Sequence, residues 1–387
     1  MEQAVFGLIG AGHLANAQHL PNLIWAPHVR FKMVCDLREE LASAAQKKYN
    51  IPCMATDHRK VLADAEIDAV VICTKDEAHA PLTVEALEAG KHVYVEKPLA
   101  DTRAACESVV AAQKKAGRHV AVGFNRRFSP AYRKAKELLD AHGGAWNIHY
   151  RLADSYRYTW GKDYPLGSRI FHEVCHIFDL LRWLTGSEPE SVYCVQSRAD
   201  DEVIAIRFAS GTVASIMSSG YATRDLPKES LEIIAEEGGL IVENFVEMWT
   251  YGFPEAEDDY RFAGHVHPDR DFTHRWMFRE IGAPAMRALY KRQWTLHEGK
   301  DRLRIEAIDA APEKELAEHH APRGNYDVDK GWRQAIDHFA ECVAEGRTPE
   351  TATARDGLIA HHMAEAAARS RQTGGPVRLT SDPPGIS

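Results

Sequence analysis

Residues 7–15 read "GLIGAGHLA". Gly10, Gly12 and Ala15 form a G-x-G-x-x-A pattern that follows the apolar run "AVFGLI" (4–9) and opens an amphipathic segment at 14–24. In a strand–turn–helix unit the first glycine permits the tight turn and the second lets backbone approach a pyrophosphate. The small third residue allows close helix–strand packing. A ligand-free glycine turn would carry the same letters. What favours a ligand is Asp36, about 20 residues after Ala15 and at the end of the next apolar run, where a carboxylate accepts from adenosine ribose hydroxyls. The stretch therefore predicts a dinucleotide site containing Gly10, Gly12, His13, Leu14 and Ala15. Asp36 favours NAD by repelling a 2′-phosphate, while Arg38 keeps some tolerance for NADP. Asp36 also suits the N-cap of the helix that follows, and the two roles can coexist.

Outward from this turn, the first 125 residues alternate short apolar runs with amphipathic segments, the rhythm of a parallel sheet with crossover helices. Strands are expected at 4–9, 31–35, 69–74, 92–96 and 119–124, with helices at 14–24, 38–49, 78–89 and 101–116. After residue 146 the period becomes two, in "NIHYRLAD", "SVYCVQSR", "EVIAIRFA", "TVASIMSSG", "SLEIIAEEG" and "LIVENFVEMW", which reads as an antiparallel sheet. Helices at 130–141 and 170–185 precede it. A charged, irregular stretch at about 252–325, with one helix near 276–292, reads as an insertion, and a helical pair at 328–346 and 353–372 follows. These patterns give a dinucleotide-binding domain over 1–125 and a substrate-binding and oligomerisation domain over 126–387.

Bulk composition excludes other classes. A formal charge of −9 argues against nucleic acid as a partner, since phosphate neutralisation needs clustered net cation. No apolar run approaches bilayer length, and "MEQ" leads straight into a strand without a basic stretch and cleavable apolar core, so no membrane partner is expected. Seven scattered cysteines without a C-x-x-C pair read as reduced thiols of a cytoplasmic protein.

"YVEKPLA" places Glu96, Lys97 and Pro98 at the C-terminal end of a parallel strand, where ligands of open α/β sheets collect. Together with "GLIGAGHLA", "VICTKDEAHAPLTVEALEAGKHVYVEKPLA", "VGFNRRFSP" and "EVCHIFDLLRWLTG", it resembles the Gfo/Idh/MocA oxidoreductases. The resemblance covers roughly 4–250, returns in "DKGWRQAIDHF" and "TGGPVRL", and leaves out 252–325. It implies an α/β plus α+β chain: an N-terminal Rossmann domain followed by an open, largely antiparallel mixed sheet. It also implies oxidation or reduction of one hydroxyl of a sugar, inositol or related polyol. Carried over position by position, it makes Thr74, His79 and Glu96 cofactor contacts, Lys97 a catalytic and substrate-orienting residue, and His176 the proton acceptor.

Elementary chemistry agrees. Hydride removal from a carbinol requires a base within hydrogen-bond reach of the hydroxyl, histidine has a suitable pKa, and an ammonium such as Lys97 stabilises the developing alkoxide. Yet "FHEVCHIF" (171–178) also contains His172, Glu173 and His176 in the H-E-x-x-H spacing of zinc proteases. The metzincin continuation fails at Asp179 and Arg182, and no metal is expected. The family's usual D-x-G-x-H-x-x-D is departed from, with His172 in the aspartate's place, so either His172 or Glu173 takes over that role. On one continuous helix His172, His176 and Asp179 would form a polar stripe toward the cleft.

Other cleft segments are Asn125, assigned to the cofactor, and Arg126, Arg127, Asp154, Tyr156 and Tyr158, assigned with His172 and Glu173 to the substrate. Alternating polar and aromatic residues suit a sugar. The cations Arg126, Arg127, Arg157, Lys162 and Arg169 suggest an anionic one, unless they are solvated or tie domains together. Some similar proteins cleave glycosides with recycled NAD, and the same base and lysine would serve that chemistry. The open sheet's unpartnered apolar face predicts a homodimer or homotetramer.

Overall fold

The computed structural model describes residues 2–223, 226–262 and 328–379. The helix expected near 276–292 lies outside the described residues, as does all of the 252–325 stretch beyond residue 262.

The first sheet has six parallel strands: β1 (Ala4–Ile9), β2 (Val29–Cys35), β3 (Cys53–Ala55), β4 (Ala69–Ile72), β5 (His92–Val95) and β6 (Val120–Val122). Their spatial order is β3-β2-β1-β4-β5-β6, so the order reverses between β1 and β4, the switch point beside which such sheets bind ligands. All six β1 residues are buried, because crossover helices cover both faces of a parallel sheet and select continuous apolar runs. The crossovers are α1 (Leu20–Trp25), α2 (Glu39–Tyr49), α3 (Arg59–Ala63), α4 (Asp76–Glu88) and α5 (Arg103–Ala116). Before α1, residues Ala15–His19 form a π-helical turn. Helix α5 starts where Thr102 accepts from the Ala105 N–H and stops at Gly117, which has φ 63°.

Helices α6 (Pro130–Ala141), α7 (Arg169–His172) and α8 (Cys175–Thr185) adjoin the second sheet. Its strands are β7 (Asn147–Ala153), β8 (Pro189–Arg198), β9 (Asp201–Phe208), β10 (Val213–Ser219), β11 (Glu229–Ala235), β12 (Gly238–Glu243), β13 (Glu247–Tyr251), β14 (Asp259–Arg261) and β15 (Val377–Arg378). They run in the order β14-β13-β12-β11-β7-β10-β9-β8-β15. Every pairing is antiparallel except β7 with β10, so the sheet is mixed. Burial alternates along β9 and β10, as expected of a sheet with one covered face. "LIVENFVEMW" is two strands rather than one, turned at Asn244 and Phe245, both with positive φ.

Helix α9 (Trp332–Glu345), which the sequence pattern grouped with the second domain, packs on the first sheet. Its Ala335, Ile336 and Phe339 share a core with Phe6, Leu8 and Tyr94. Burying a side chain of Phe339's size contributes roughly 1.5–3 kcal/mol. Helix α10 (Ala354–Thr373) begins with a Thr353–Asp356 capping box and packs against α5, α8 and β8, joining the two sheets through one continuous core.

Candidate active site

The strand–turn–helix geometry expected of "GLIGAGHLA" is present. Gly10 has φ +99°, and a Cβ there would lie 2.3 Å from the Cys73 carbonyl oxygen, so no side chain fits. A Cβ on Gly12 would meet nothing within 4 Å; the space above it belongs to a cavity of about 1420 Å³. That open cradle beside a helix start fits a pyrophosphate. Gly10, Gly12, His13, Leu14, Asp36 and Arg38 line one end of the cavity. Asp36 is held in place by the backbone: its carboxylate accepts from Ala11 N (2.8 Å) and Arg38 N (2.9 Å). Ala15 is fully buried and provides packing rather than lining.

The end of β4 carries Thr74, the start of α4 carries His79, and the end of β5 carries Glu96 and Lys97 into the same cavity. His79 Nδ1 donates to the Pro98 carbonyl (2.7 Å), leaving Nε2 as a buried acceptor with no partner among the described residues. Glu96 Oε1 lies 2.7 Å from His19 Nε2. Burial pushes the Glu96 carboxyl upward, and His19 and Lys97 together outweigh it, so Glu96 stays below its ordinary range. Asn125 does not reach the cavity: it is fully buried and its Nδ2 donates to the Lys330 carbonyl (2.7 Å).

"FHEVCHIF" is not one helix. The chain breaks between α7 and α8, and His176 N donates to the Glu173 carbonyl (3.2 Å) instead of reaching back to His172. The freed His172 carbonyl accepts from Lys97 Nζ at 2.9 Å. The expected polar stripe is therefore absent. His172 turns to Asp76 (2.8 Å) and stacks near Tyr164, Asp179 is bound by Arg127, and only His176 and Glu173 line the cavity. Three members of a zinc site do not converge, and among the described residues no group of three or more candidate ligands does.

His176 is 4% exposed, its ring in an edge-to-face contact with Phe124 and its Nδ1 buried without a partner among the described residues. Burial, then Arg126 and Lys97, hold its pKa well below the ordinary histidine value, so the imidazole is neutral near pH 7 and able to take a proton. Lys97 is the reverse case. Burial would lower it, but Glu173 and then Cys175, Glu96 and Asp76 raise it, and the ammonium stays charged. Its Nζ also lies over the Trp160 ring at 5.6 Å.

The four arginines of the basic cluster expected to grip an anionic substrate are already engaged by the protein, and Lys162 is exposed. Arg126 makes two 2.7 Å bonds to Glu229, and Arg127 makes bonds of 2.8 and 2.5 Å to Asp179. Arg157 donates to the carbonyls of Gly161 and Tyr164, and Arg169 to Asp154 and Ser218. Arg126 borders the cavity with its fork closed, and Arg127 does not border it. Tyr156 is fully buried and Tyr158 is 70% exposed, and neither lines the cavity, whereas Asp154 does. Sequence reasoning missed Asp76, Tyr164, Lys228, Asn244 and Trp332, all lining residues. Asp76 stood two residues past Thr74 at a strand end, a readable signal. Lys228 and Asn244 sit at ends of neighbouring strands of the second sheet and gave none.

Comparison with known proteins places this geometry among relatives. Residues 5–124 match the model described as "Oxidoreductase family, NAD-binding Rossmann fold", and residues 132–241 match the GFO/IDH/MocA C-terminal domain. An inositol 2-dehydrogenase of Salmonella typhimurium is 32% identical over 205 residues, covering 52% of this chain and 59% of that protein. Inositol 2-dehydrogenase 2 of Saccharopolyspora erythraea is 31% identical over 292 residues, covering 73% and 78%. The crystal structure of myo-inositol 2-dehydrogenase from Lactobacillus plantarum matches with a TM-score of 0.71 at 19% identity, covering 98% of this chain and all of that one.

Proposed function

The chain belongs to the Gfo/Idh/MocA oxidoreductase family, and from that premise we propose that it is an NAD-dependent dehydrogenase acting on a CH–OH group of a sugar, inositol or sugar derivative. One observation carries the reading: a single cavity joins the glycine cradle and Asp36 to a neutral His176 and a charged Lys97.

Gly10, Gly12, His13, Leu14, Asp36, Thr74 and His79 would hold the dinucleotide, which when bound accepts the hydride. His176 takes the hydroxyl proton. Lys97 donates a hydrogen bond to the same oxygen and favours its alkoxide character. Trp160 and Tyr164 offer apolar faces for the C–H side of a ring. Asp36, fixed by two backbone bonds, supports NAD over NADP. The relatives carry dehydrogenase names, which favours net oxidation over glycoside cleavage.

An NADH-absorbance screen across polyols, aldoses, uronates and glycosides tests the proposal. The expected result is NADH formed in step with an oxidised product. Release of aglycone from a glycoside with no net NADH would overturn it.

The outer face of the second sheet exposes Tyr193, Val203, Val213, Met217, Ile234 and Tyr251. This supports a homodimer or homotetramer built through that face. Light scattering giving a monomer at micromolar concentration would contradict it. Seven unpaired cysteines support a reducing compartment, the cytoplasm. Among the described residues no helix is long and apolar enough to cross a membrane.

A further inference from the structure

We infer that Lys228 is a positioning residue that captures Glu173 and thereby leaves the Lys97 ammonium free to bind the reacting oxygen. The inference rests on the role proposed for Lys97 and assigns a task to a second lysine that borders the same cavity.

The geometry is a chain of alternating charges. Arg169 Nη2 donates to Asp154 Oδ1 (3.1 Å), Lys228 Nζ lies 2.7 Å from Asp154 Oδ2, and the same Nζ donates to Glu173 Oε2 (2.6 Å). Glu173 Oε1 is 3.7 Å from Lys97 Nζ, too far for a hydrogen bond. Lys97 thus sits near a carboxylate without donating to it. Among the described residues, the one hydrogen bond of its ammonium goes to the His172 carbonyl, the acceptor released where α7 ends. An ammonium has three N–H donors, so donors remain for a substrate oxygen.

Glu173 is buried and ionised, and a buried carboxylate must find a hydrogen-bonded cation. Among the described residues two cations form ion pairs with it, and Lys228 holds the close position. Arg126 and Arg169 act on Glu173 from farther off, with their guanidinium groups bonded to Glu229 and Asp154. If Lys228 is removed, Asp154 still has Arg169, and Lys97 is the nearest amine left to Glu173. The carboxylate would then close onto the Lys97 ammonium and take up the donors that the reaction needs. Lys228 acts at a distance from the reacting atoms, by determining which amine Glu173 bonds to.

The test uses purified full-length protein, NAD, and whichever of myo-inositol, D-glucose and D-glucuronate it oxidises fastest. Lys228→Met should lower kcat on the order of 10²-fold, with KM and NAD affinity little changed. Adding Glu173→Gln to that variant should restore at least about tenfold of the loss, because the competing carboxylate is gone. Glu173→Gln alone should lower kcat less than Lys228→Met does, and Lys228→Arg, which keeps the cation, should stay within about fivefold of the parent. A purely structural Lys228 would give losses that add in the double variant, and that outcome overturns the inference, as does unchanged kcat in Lys228→Met. Should Lys228→Met fail to fold, Glu173→Gln decides: a loss as deep as that of Lys97→Met would show that Glu173 acts directly and overturn the inference. Lys97→Met also separates the two levels of argument. If it keeps turnover, the role proposed for Lys97 falls; if it is inactive while the Lys228 and Glu173 losses add, only the present inference falls.

Discussion

The two ends of the cavity are built on different physical principles. At the cofactor end the lining combines the backbone of Gly10 and Gly12 with side chains such as His13, Leu14 and Arg38, and Asp36 is held by two main-chain donors. Shape does the selecting there. At the substrate end the walls carry buried ions in fixed pairs: Lys228 with Glu173 and Asp154, and Arg126 with Glu229, which also receives Lys330 and the Tyr150 hydroxyl. A fixed ligand such as a dinucleotide can be met by backbone geometry that depends on a few local letters. A hydroxyl that must lose its proton needs one neutral base and one charged donor side by side, and a network of ion pairs is what holds those two states apart.

If this contrast is right, changes at the substrate end should affect turnover or folding and spare cofactor affinity, and changes at the cofactor end should do the opposite. The largest effect is expected at His176. Replacing it with alanine should lower kcat by about 10³-fold or more while NAD binding, measured by titration calorimetry, is retained. Because the folded-state pKa of His176 is depressed, protonation should disable the base only well below pH 6.5; kcat/KM of the parent should show no acid limb from this group between pH 6.5 and 8. An acid limb near pH 7 that His176→Ala removes would mean that the buried imidazole is not the neutral base described.

Next in size is Arg127→Met. It leaves Asp179 without its bidentate partner in a buried site, which should cost about 3–5 kcal/mol in denaturant unfolding with little change in substrate KM. A raised KM at unchanged stability would return Arg127 to the substrate list. The smallest effect is expected from Asp36→Ala, which should reduce the preference for NAD over NADP by about tenfold, roughly 1.4 kcal/mol, in the ratio of kcat/KM values, without altering kcat for NAD. Equal use of both cofactors by the parent would remove the contrast at its cofactor end.

The same contrast explains what could be read from the chain. The Gly10–Ala15 turn, Asp36 and Glu96-Lys97-Pro98 were legible because each is a local pattern tied to a strand end. His176 was legible too, through its spacing within a recognisable motif. The arginines misled because their partners are remote: Glu229 is 103 residues from Arg126, and Asp179 is 52 from Arg127. No periodicity marks such pairs. The break after His172 was equally silent, since the letters around it keep a helical apolar rhythm while the chain unwinds to hand a carbonyl to Lys97. The parallel pairing of β7 with β10 was implied only by the resemblance to a mixed-sheet family and not by the period-two runs, because alternation reports which face is buried and not which direction a neighbour runs.

The return of α9 to the first sheet has a consequence for how the protein is made. His28 bonds to Asp337 across 309 residues of chain, the Val122 N–H donates to the Ala352 carbonyl at 2.7 Å, and Phe339 completes the core around Phe6 and Tyr94. During synthesis the nucleotide-binding sheet emerges before this helix, so the patch around Phe6 and Tyr94 stays only partly covered, by α1 and α2, until Trp332–Glu345 has been made. Such distant contacts raise the contact order, and the nascent first sheet presents that apolar patch until the helix arrives. Completion of the sheet that carries the cofactor site therefore depends on a segment made long after it.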